Sequence, residues 1–499
     1  MQVTGDLLVA FAAIVVTVIV GKILRLYYDW YIFPRGPFPW PLVGNLLHFR
    51  QPLFAHEVIT RLASRHGKVY TLFLGHKPFI VIAEPTLAIQ ALKKQTFAGR
   101  PSFPLTQWLF GDKGTDIAFS DFTKEWEALR RVGHGAARKY AVSPTLASIV
   151  VNVVDRVIAS AGTNMDTEEW FSTMMNAINA ESAFGKTYDF DDPEFRTWKQ
   201  AIDQQQTLNT TLILFMILPL MRYVFRRDWN TFTSAVKYER QQIKKMYQLA
   251  LKNYTEGKND TFCDAIIASK RDAESQESWM LPYLHEENIL NCIFDLFANG
   301  TDAQKCVLQW IFVFVTRHPD MQDKMRQEVD SVIGDRDPEI PDRANCHYVT
   351  AFIAEVMRFR PFAPTGMMHK VTVNEHVNKI SIPEGTAVLM PLYDCLHDEL
   401  VWKDPHVFTP DRFLDEFGNF VPRPNPQNVP FGDDGRRACI GNKLTLHNMF
   451  LIVSRFLQKT GKISTVGGVG EDHVSGDLVR SNVNAWITIP YSLKLDPRS

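Results

Sequence analysis

The sequence lacks the patterns that mark several common classes of protein. Its six cysteines contain no C-x-x-C pair and no regular spacing, which argues against a structural zinc site and against a disulfide framework. The formal net charge of −1 gives no overall electrostatic basis for binding nucleic acid. No Gly/Ser-rich linker, block of like charge or solenoid-length repeat divides the chain, so we expect one large domain after the N-terminal segment.

The apolar residues that are present follow mainly a helical period. They predict helices over 122–141, 145–162, 195–215, 231–256, 286–318 and 346–359, and a further helix after Cys439. Alternating stretches predict a hairpin over 69–74 and 79–82 and short strands near 369–373 and 386–390. The fold class expected from this pattern is mainly α with a minor β-sheet.

The N-terminus reads as a membrane anchor. Residues 7–21 carry no charge, and the run to Leu24 is just long enough to span a bilayer core, with a snorkelling lysine at Lys22. Four aromatic residues follow, Tyr27, Tyr28, Trp30 and Tyr31, where an aromatic belt is expected. Most basic residues lie after the apolar run, and the positive-inside rule then predicts that the rest of the chain is in the cytosol. A cleaved signal peptide would carry its positive charge before the run. We therefore predict an anchor over 1–24, a Pro-rich linker over 25–45 and a catalytic domain over 46–499.

The segment from Pro430 to Leu444 contains the pattern G-x-R-x-C-x-G, centred on Cys439. Its glycines permit tight turns and close approach to a flat ligand. A cysteine just before a helix is favoured as a thiolate by the helix dipole, and Arg437 supplies a cation for a carboxylate. Taken alone, such a cysteine is more often a buried structural residue.

This segment resembles the haem-binding loop F-x-x-G-x-R-x-C-x-G of the cytochrome P450 family. It is one residue longer than that pattern because of the pair Asp433-Asp434, which predicts a bulge in the loop. The resemblance implies that Cys439 is the axial thiolate ligand of haem b. It assigns the other cofactor-binding positions of the loop to Phe431, Arg437 and Gly441.

Two further charged patterns resemble the same family. Glu355 and Arg358 match its E-x-x-R helix, and the segment 408–413 resembles its P-E-R-F element. Spacing i,i+3 places the two charges on one helical face. The resemblance implies that Glu355, Arg358 and Arg412 form a buried network that braces the loop before Cys439. Without the other motifs, Glu355 and Arg358 could equally form a surface ion pair, which contributes little to stability.

Cofactor carboxylates are expected to meet residues outside the loop. Trp126 and Arg130 lie one helical turn apart and resemble the family's W-x-x-x-R, whose arginine and indole N–H bind a haem propionate. His369 sits where related animal microsomal members place another propionate partner. The alternative for the first pair is a core tryptophan beside a surface arginine.

The segment 294–304 resembles the family's long helix at the oxygen-binding face, usually A-G-x-[DE]-T-[TS]. Gly300 matches the small residue that leaves room for dioxygen, and Asp302 matches the acid. Ala303 replaces the usual threonine, and Asn299 replaces the usual alanine one turn earlier on the same face. Thr301 cannot substitute for the missing hydroxyl at 303, because side chains two positions apart on a helix point about 200° apart. The predicted catalytic positions are Asp302, Ala303, Asn299 and Gly300.

Together these motifs imply the cytochrome P450 fold, with haem between the long distal helix and the cysteine loop. The implied activity is that of an animal microsomal monooxygenase acting on a steroid, fatty acid or xenobiotic. Its expected partners are NADPH-cytochrome P450 reductase, cytochrome b5 and membrane lipid. NADPH then acts only indirectly, through the reductase. The expected location is the endoplasmic reticulum membrane, with a single pass and a cytosolic catalytic domain.

Two other readings of function stay open at this point. One is a haem-thiolate isomerase or dehydratase that needs no external electrons, which the missing threonine at Ala303 favours. The other is a non-catalytic haem- or lipid-binding membrane protein. Asp302, the anchor and a basic cluster at 130–139 favour the monooxygenase, since such a cluster suits an acidic electron donor.

The substrate-binding segments are expected around 100–120, 195–220 and 361–367, which are apolar and aromatic. Within the second of these, the run from Leu212 to Leu220 is either a core helix or a second membrane contact.

Overall fold

The computed structural model describes residues 2–49, 54–111, 114–208, 215–216, 220–257, 260–432, 435–466, 479–481 and 486–498. The chain forms two compact units from interleaved segments. The first unit comprises Met1–Pro101, Ala363–Asp398 and Gly432–Arg437, and the second comprises Ser102–Phe362, Glu399–Phe431 and Ala438–Ser499. Linker composition does not reveal this division, because the chain passes repeatedly from one unit to the other. The division of the sequence at 24 and 45 remains a prediction.

The first unit begins with an apolar helix, Gln2–Ile32. Within its stretch Ala10–Ile32, the most apolar window of 18 residues has a mean hydropathy of 2.0 and is almost entirely exposed, as is suitable for a membrane span. The helix extends into the predicted linker because no proline or glycine interrupts 22–33, and it ends before Pro34, which disfavours helical geometry in the residue that precedes it. A second helix, Pro144–Ala161 in the other unit, passes the same test of length and hydropathy, but nearly half of it is buried.

The remainder of the first unit is a small sheet with short helices around it. The predicted hairpin is confirmed as the antiparallel pair Val69–Leu74 and Lys77–Ile82. The second strand pairs in parallel with Ala387–Leu389, which in turn pairs with the two-residue strand His369–Lys370. The other elements are the helices Ala55–His66, Pro85–Lys93 and Leu392–Leu396, the 3₁₀ turns Leu46–Phe49 and Gln95–Phe97, and the hairpin Glu375–Val377 with Ile380–Ile382.

The second unit is mostly helical. Its helices are Pro104–Phe110, Lys124–Tyr140, Pro144–Ala161, Thr167–Phe184, Pro193–Thr207, Met221–Val224, Arg226–Asn253, Phe262–Ser275, Glu286–Phe294, Gly300–Arg317, Pro319–Val332, His347–Phe359 and Asn442–Lys459. A π-helical turn occupies Asp295–Asn299, and 3₁₀ turns occupy Leu281–Tyr283, Ile340–Ala344 and Pro410–Phe413. Its strands are Asn164–Asp166, Thr460–Thr465 and Ser492–Pro497 in one sheet, and Val479–Ser481 with Trp486–Thr488 in another.

Most predicted helices of this unit are confirmed to within a few residues, because each buries a continuous apolar face. The helix predicted over 195–215 ends at Thr207, and most of residues 209–219 lie outside the described part of the chain. The helix predicted over 286–318 is interrupted by the π turn. The strand predicted over 369–373 is only two residues long, since only His369 and Lys370 pair with their neighbour.

Candidate functional site

The cysteine loop of the second unit leads into a helix, as predicted. The N–H of Cys439 donates to the carbonyl of Phe431 at 3.0 Å, which closes the loop. Gly441 caps the helix Asn442–Lys459, so Cys439 lies two residues before the cap, near free helical N–H groups. The inserted pair Asp433-Asp434 lies outside the described residues, so the predicted bulge remains a prediction.

Accessibility separates Cys439 from the other cysteines, all six of which are described. Cys439 is exposed, whereas the other five are at most 1% exposed. Cys395, for example, is buried, with its Sγ 3.7 Å from the carbonyl of Pro391. Only Cys439 is therefore open to an external ligand, and a thiolate donor at the end of a helix fits haem iron.

Opposing effects act on the thiol of Cys439. Surrounding protein raises its pKa, while the backbone N–H of Gly441 and the charge of Arg130 act in the opposite direction. The side chain of Cys439 is nevertheless exposed, as a ligand to an external group must be. The residues that favour the thiolate are thus already in place, and ligation of a metal favours it further.

Arg130 is held beside the cysteine loop. The helix Lys124–Tyr140 begins at Thr123, whose hydroxyl accepts the N–H of Trp126 at 3.1 Å. One turn later, Arg130 donates to the carbonyl of Ala438, and burial lowers its pKa to about 10. Arg130 therefore remains a cation and is available to neutralise a cofactor carboxylate in this region.

The indole of Trp126 has a different partner from the expected one. Its Nε1–H donates to the carbonyl of Ile117 at 3.0 Å, and the ring is buried. The guanidinium of Arg130 lies 5.4 Å from the centroid of this ring. Donation from Trp126 to a haem carboxylate thus requires the indole to exchange its partner, whereas Arg130 keeps several other donor groups.

Three basic side chains gather in the first unit. Arg437 donates through Nε to the carbonyl of Ala98 at 2.6 Å, and Arg100 donates to the carbonyl of Met368 at 2.8 Å. His369 is buried, and burial together with Arg100 and Arg437 lowers its pKa well below the usual value. Arg437 and His369 were predicted, whereas Arg100 was missed because a single arginine in a loop gives no periodic signal.

The imidazole of His369 is neutral in this setting. Its Nδ1 lies 2.8 Å from the carbonyl of Phe97, which can only accept, so this nitrogen carries the proton. The other nitrogen, Nε2, is then unprotonated. Donation from Nε2 to a carboxylate requires the ring to gain a proton, which the nearby negative charge of that carboxylate favours.

The helix predicted at the oxygen-binding face contains the π turn Asp295–Asn299 immediately before Gly300. Such turns occur frequently at functional sites. Gly300, Asp302 and Ala303 are each half-buried. Asn299 belongs to the π turn, and its side chain lies outside the described residues.

Thr301 faces away from Ala303, as predicted. Its hydroxyl donates to the carbonyl of Phe297 at 2.8 Å and accepts from Asn179 at 2.7 Å, and the residue is fully buried. Its hydroxyl is therefore committed to packing against the helix Thr167–Phe184. It cannot supply the function of the missing threonine at 303.

Asp302 lies in an acidic environment. Burial raises its pKa, Glu168 and Asp203 act in the same direction, and Lys305 opposes them. Lys305 itself is buried and pairs with Glu168 at 2.8 Å. Asp302 therefore holds a proton more readily than an exposed aspartate, as suits a group that relays protons.

The predicted brace of the cysteine loop is confirmed as a buried network. The carboxylate of Glu355 accepts two hydrogen bonds from Arg358, at 2.7 and 2.9 Å, and a third from Arg412 at 3.1 Å. It also accepts from the backbone of Thr409 at 2.9 Å. Arg358 donates in turn to the carbonyl of Pro405 at 3.0 Å, so the network fixes the segment that precedes the cysteine loop.

A basic surface lies on the same unit. Its residues are the exposed Arg131, Arg138, Lys139 and Lys443, and we call it the basic face. Burial lowers the pKa of His134, and the charges of Arg130, Arg138 and Lys443 lower it further. These three cations therefore lie close to His134 and to one another. A concentrated positive charge of this kind suits an acidic partner protein.

Comparison with known proteins agrees with these motifs. The family model described as "Cytochrome P450" matches residues 34–460. The steroid 17-alpha-hydroxylase/17,20 lyase of Ictalurus punctatus is 27% identical over 91% of this chain and 90% of its own length. Cytochrome P450 1B1 of Homo sapiens is 29% identical over 84% of this chain and 80% of its own length, and cytochrome P450 2D3 of Rattus norvegicus is 29% identical over 86% of each.

Proposed function

The chain belongs to the cytochrome P450 family, and on this basis we propose that it inserts one atom of dioxygen into a lipophilic substrate with electrons from an NADPH-dependent reductase. The observation that carries the proposal is Cys439, the one exposed cysteine of six, at the ligand position of the family's loop. Members of this family are monooxygenases. The fold, mainly helical with small sheets, is that of the family.

Haem b is the cofactor that this cysteine fits. With a thiolate ligand, haem iron supplies the chemistry that cleaves the O–O bond. We propose Cys439 as that ligand, with Arg130 and Trp126 as partners of a haem carboxylate. Arg437 and His369 are proposed for the same role from the resemblance, and Phe431 and Gly441 as parts of the loop around the ligand.

The substrate is proposed to be lipophilic, and a steroid is the leading candidate. The relatives include proteins named for steroid hydroxylation as well as other cytochromes P450. Aromatic side chains in an expected substrate segment suit any lipophilic substrate: Phe110 packs near Phe119, with ring centroids 6.4 Å apart. A fatty acid or a xenobiotic is the alternative substrate.

Proton delivery is proposed to depend on Asp302 and Asn299. Asp302 brings protons in from solvent, and Gly300 leaves space beside it. Ala303 has no group that can order a water molecule, so either the amide of Asn299 or a hydroxyl on the substrate takes this role. The proposal is supported by the raised pKa of Asp302 and by the commitment of Thr301 to other partners.

We predict that Ala303→Thr increases coupling with generic lipophilic substrates, and that Asn299→Ala decreases it. The added hydroxyl orders the water that delivers protons, whereas loss of the amide removes such a group. The measurement is product formed per NADPH consumed, with hydrogen peroxide assayed in parallel. Thr301→Val is the control, since its hydroxyl faces another helix. If neither substitution changes coupling and product forms without NADPH, this account of proton delivery is wrong.

The electron donor is proposed to be NADPH-cytochrome P450 reductase, with cytochrome b5 as a second donor. Both would dock on the basic face, whose side chains Arg131, Arg138, Lys139 and Lys443 are exposed. An attraction of this type raises the rate of association and weakens with salt.

The N-terminal helix is proposed to anchor the protein in the endoplasmic reticulum membrane, with the rest of the chain in the cytosol. A second membrane contact is supported by the segment that follows the run Leu212–Leu220. Leu220, at the end of this run, and Tyr223 and Val224, just after it, are each about two-thirds exposed or more, and exposed arginines follow at 226 and 227. Exposed apolar side chains beside basic ones suit the surface of an anionic membrane.

We predict that deleting residues 1–24 releases the protein from membranes only in part. Leu220, Tyr223 and Val224 keep a second contact, which detergent disrupts more effectively than salt. Fractionation in salt and then in detergent measures the release. A matched variant with these three residues changed to serine, in the truncated chain, should be fully soluble. Complete release by the truncation alone would contradict a second contact.

Ala303 favours one other function, that of a haem-thiolate isomerase or dehydratase. Such an enzyme needs no protons delivered to dioxygen, so it has no need of the threonine. Dependence of turnover on NADPH and the reductase separates the two, since only the monooxygenase requires both.

A further inference from the structure

A cavity of about 500 Å³ lies on the second unit, and it shares no residue with the proposed haem, oxygen or substrate positions. Its walls come from the helix Pro319–Val332, the strand Thr460–Thr465, and the end of the strand Ser492–Pro497 with the residue that follows it. Several of the lining residues are exposed, so the cavity is open to solvent. Its volume falls within the range of small-molecule sites in proteins, about 300–1,000 Å³.

The cavity has an excess of positive charge. Its charged lining residues are Asp323, Arg326, Lys462 and Arg498. Arg498 pairs with Asp330 at 2.6 Å, whereas Arg326 and Lys462 form no ion pair with the described residues. With Asp330 set against Arg498, and Asp323 against one of the other two cations, one positive charge is left without compensation.

The two arginines are fixed close together by the backbone of the chain. Both donate to the carbonyl of Leu457 in the last turn of a helix, and Arg326 donates as well to the carbonyls of Thr460 and Gly461. Burial lowers the pKa of Arg326, and the charge of Arg498 lowers it further, as expected of two neighbouring cations that repel each other. Arginine stays charged in proteins, so a bound anion would relieve this repulsion further than the nearby carboxylates do.

Donor groups remain for such an anion. Both terminal nitrogens of Arg326 donate to protein oxygens, but its Nε–H has no acceptor among the described residues. The same holds for the Nε–H of Arg498, and the ammonium group of Lys462 donates to none of the described residues. These donors come from three segments of the chain. A phosphate, with three acceptor oxygens, suits them better than a carboxylate, with two.

A purely structural role is the alternative for the two arginines. Their hydrogen bonds satisfy carbonyls at the end of the helix Asn442–Lys459, which would otherwise lack partners. This role accounts for the terminal nitrogens of the arginines. It accounts neither for Lys462, whose ammonium group is bound to none of the described residues, nor for the cavity that the three segments enclose.

We propose that this cavity binds the phosphate group of a small organic phosphate ester through Arg326, Lys462 and Arg498. A phosphate fills only part of the volume, so the remainder admits an organic group beside the rings of Pro319 and Pro497. The site goes beyond the proposed function and does not depend on it. A soluble nucleotide and the headgroup of phosphatidic acid carry the same phosphate monoester, and the experiment separates these two sources.

The test is a calorimetric titration of the full-length haem-loaded protein in a neutral sugar detergent and a phosphate-free buffer. The probes are adenosine monophosphate, glycerol 3-phosphate and dihexanoyl phosphatidic acid. Glycerate is added as a carboxylate of similar size to glycerol 3-phosphate. We expect the three phosphates to bind and glycerate to bind more weakly than glycerol 3-phosphate. Tighter binding of the nucleotide identifies a soluble ligand, and tighter binding of the phosphatidic acid identifies a lipid.

Three variants locate the binding while both arginines keep their hydrogen bonds to the backbone. Lys462→Gln should weaken each phosphate about tenfold, the size expected of one hydrogen bond between charged groups. Asp323→Asn should tighten binding about threefold, because it removes an exposed carboxylate that repels the phosphate. Lys459→Gln is the matched control, since Lys459 is also exposed but does not line the cavity, and it should change binding little.

Equal weakening by Lys462→Gln and Lys459→Gln would overturn the inference, since it would indicate a general attraction of anions to this surface. It is also wrong if no phosphate binds, either in the calorimeter or as a rise in the midpoint of thermal unfolding, and helix capping is then the whole role of the arginines. Glycerate that binds as tightly as glycerol 3-phosphate would contradict the phosphate class. Failure of the proposed function appears elsewhere, in the reduced CO-bound spectrum or in turnover without NADPH.

Discussion

Replacing Cys439 by alanine will abolish the thiolate-type absorption band of the reduced, CO-bound protein. Cys439 is the exposed cysteine, with Arg130 and the Gly441 N–H beside it to favour the thiolate. Loss of the thiolate removes the electron donation on which O–O cleavage depends, so NADPH-dependent turnover will fall to background in the same variant.

The matched control is Cys395→Ala. Cys395 is buried, with its Sγ near a backbone carbonyl, and its removal should leave the red-shifted band in place. Both variants are compared at equal protein concentration and with haem content measured separately. A thiolate-type band that persists in Cys439→Ala would show that another cysteine is the ligand.

The second large effect concerns the stability of the fold. Glu355→Ala leaves Arg358 buried without its carboxylate, since both side chains are 0% exposed. Removing one partner of a buried pair costs about 3–5 kcal/mol, much of it from the charge that remains. Arg412 and the N–H of Thr409 lose the same acceptor. We expect most of the protein to be recovered without haem or as aggregate.

The measurement is the yield of folded holoprotein and its midpoint of unfolding in denaturant. Asp191→Asn is the control, because Asp191 and Arg196 form an ion pair that is largely exposed and should contribute little. Glu355→Gln tests the role of charge, since it keeps the size of the side chain. A Glu355→Ala protein as stable as wild type would contradict the bracing role of the network.

Local sequence patterns were sufficient for much of the fold and of the site. The helices around Trp126 and Glu355 were predicted closely because each has a continuous apolar face. The motif around Cys439 marked the proposed ligand because its glycines, its cation and its cysteine are close together in the chain. The network of Glu355 with Arg412 followed from family resemblance, since 57 residues separate the two.

Contacts that no local sequence pattern encodes account for what was not predicted. The indole of Trp126 is directed to Ile117, and Thr301 is directed to Asn179, which lies 122 residues away. Arg100 joins His369 only through the fold. The π turn before Gly300 has no sequence signal that distinguishes it from a regular helix.

The central claim, that this chain is a monooxygenase, is tested most directly with isotopic oxygen. The full-length holoenzyme is supplied with reductase, NADPH, a bound steroid and ¹⁸O₂, and the product is analysed by mass spectrometry. The account predicts one ¹⁸O atom in each product molecule, with no product when NADPH or the reductase is omitted. Product that forms without NADPH and contains no ¹⁸O would contradict it and establish an isomerase or dehydratase in its place.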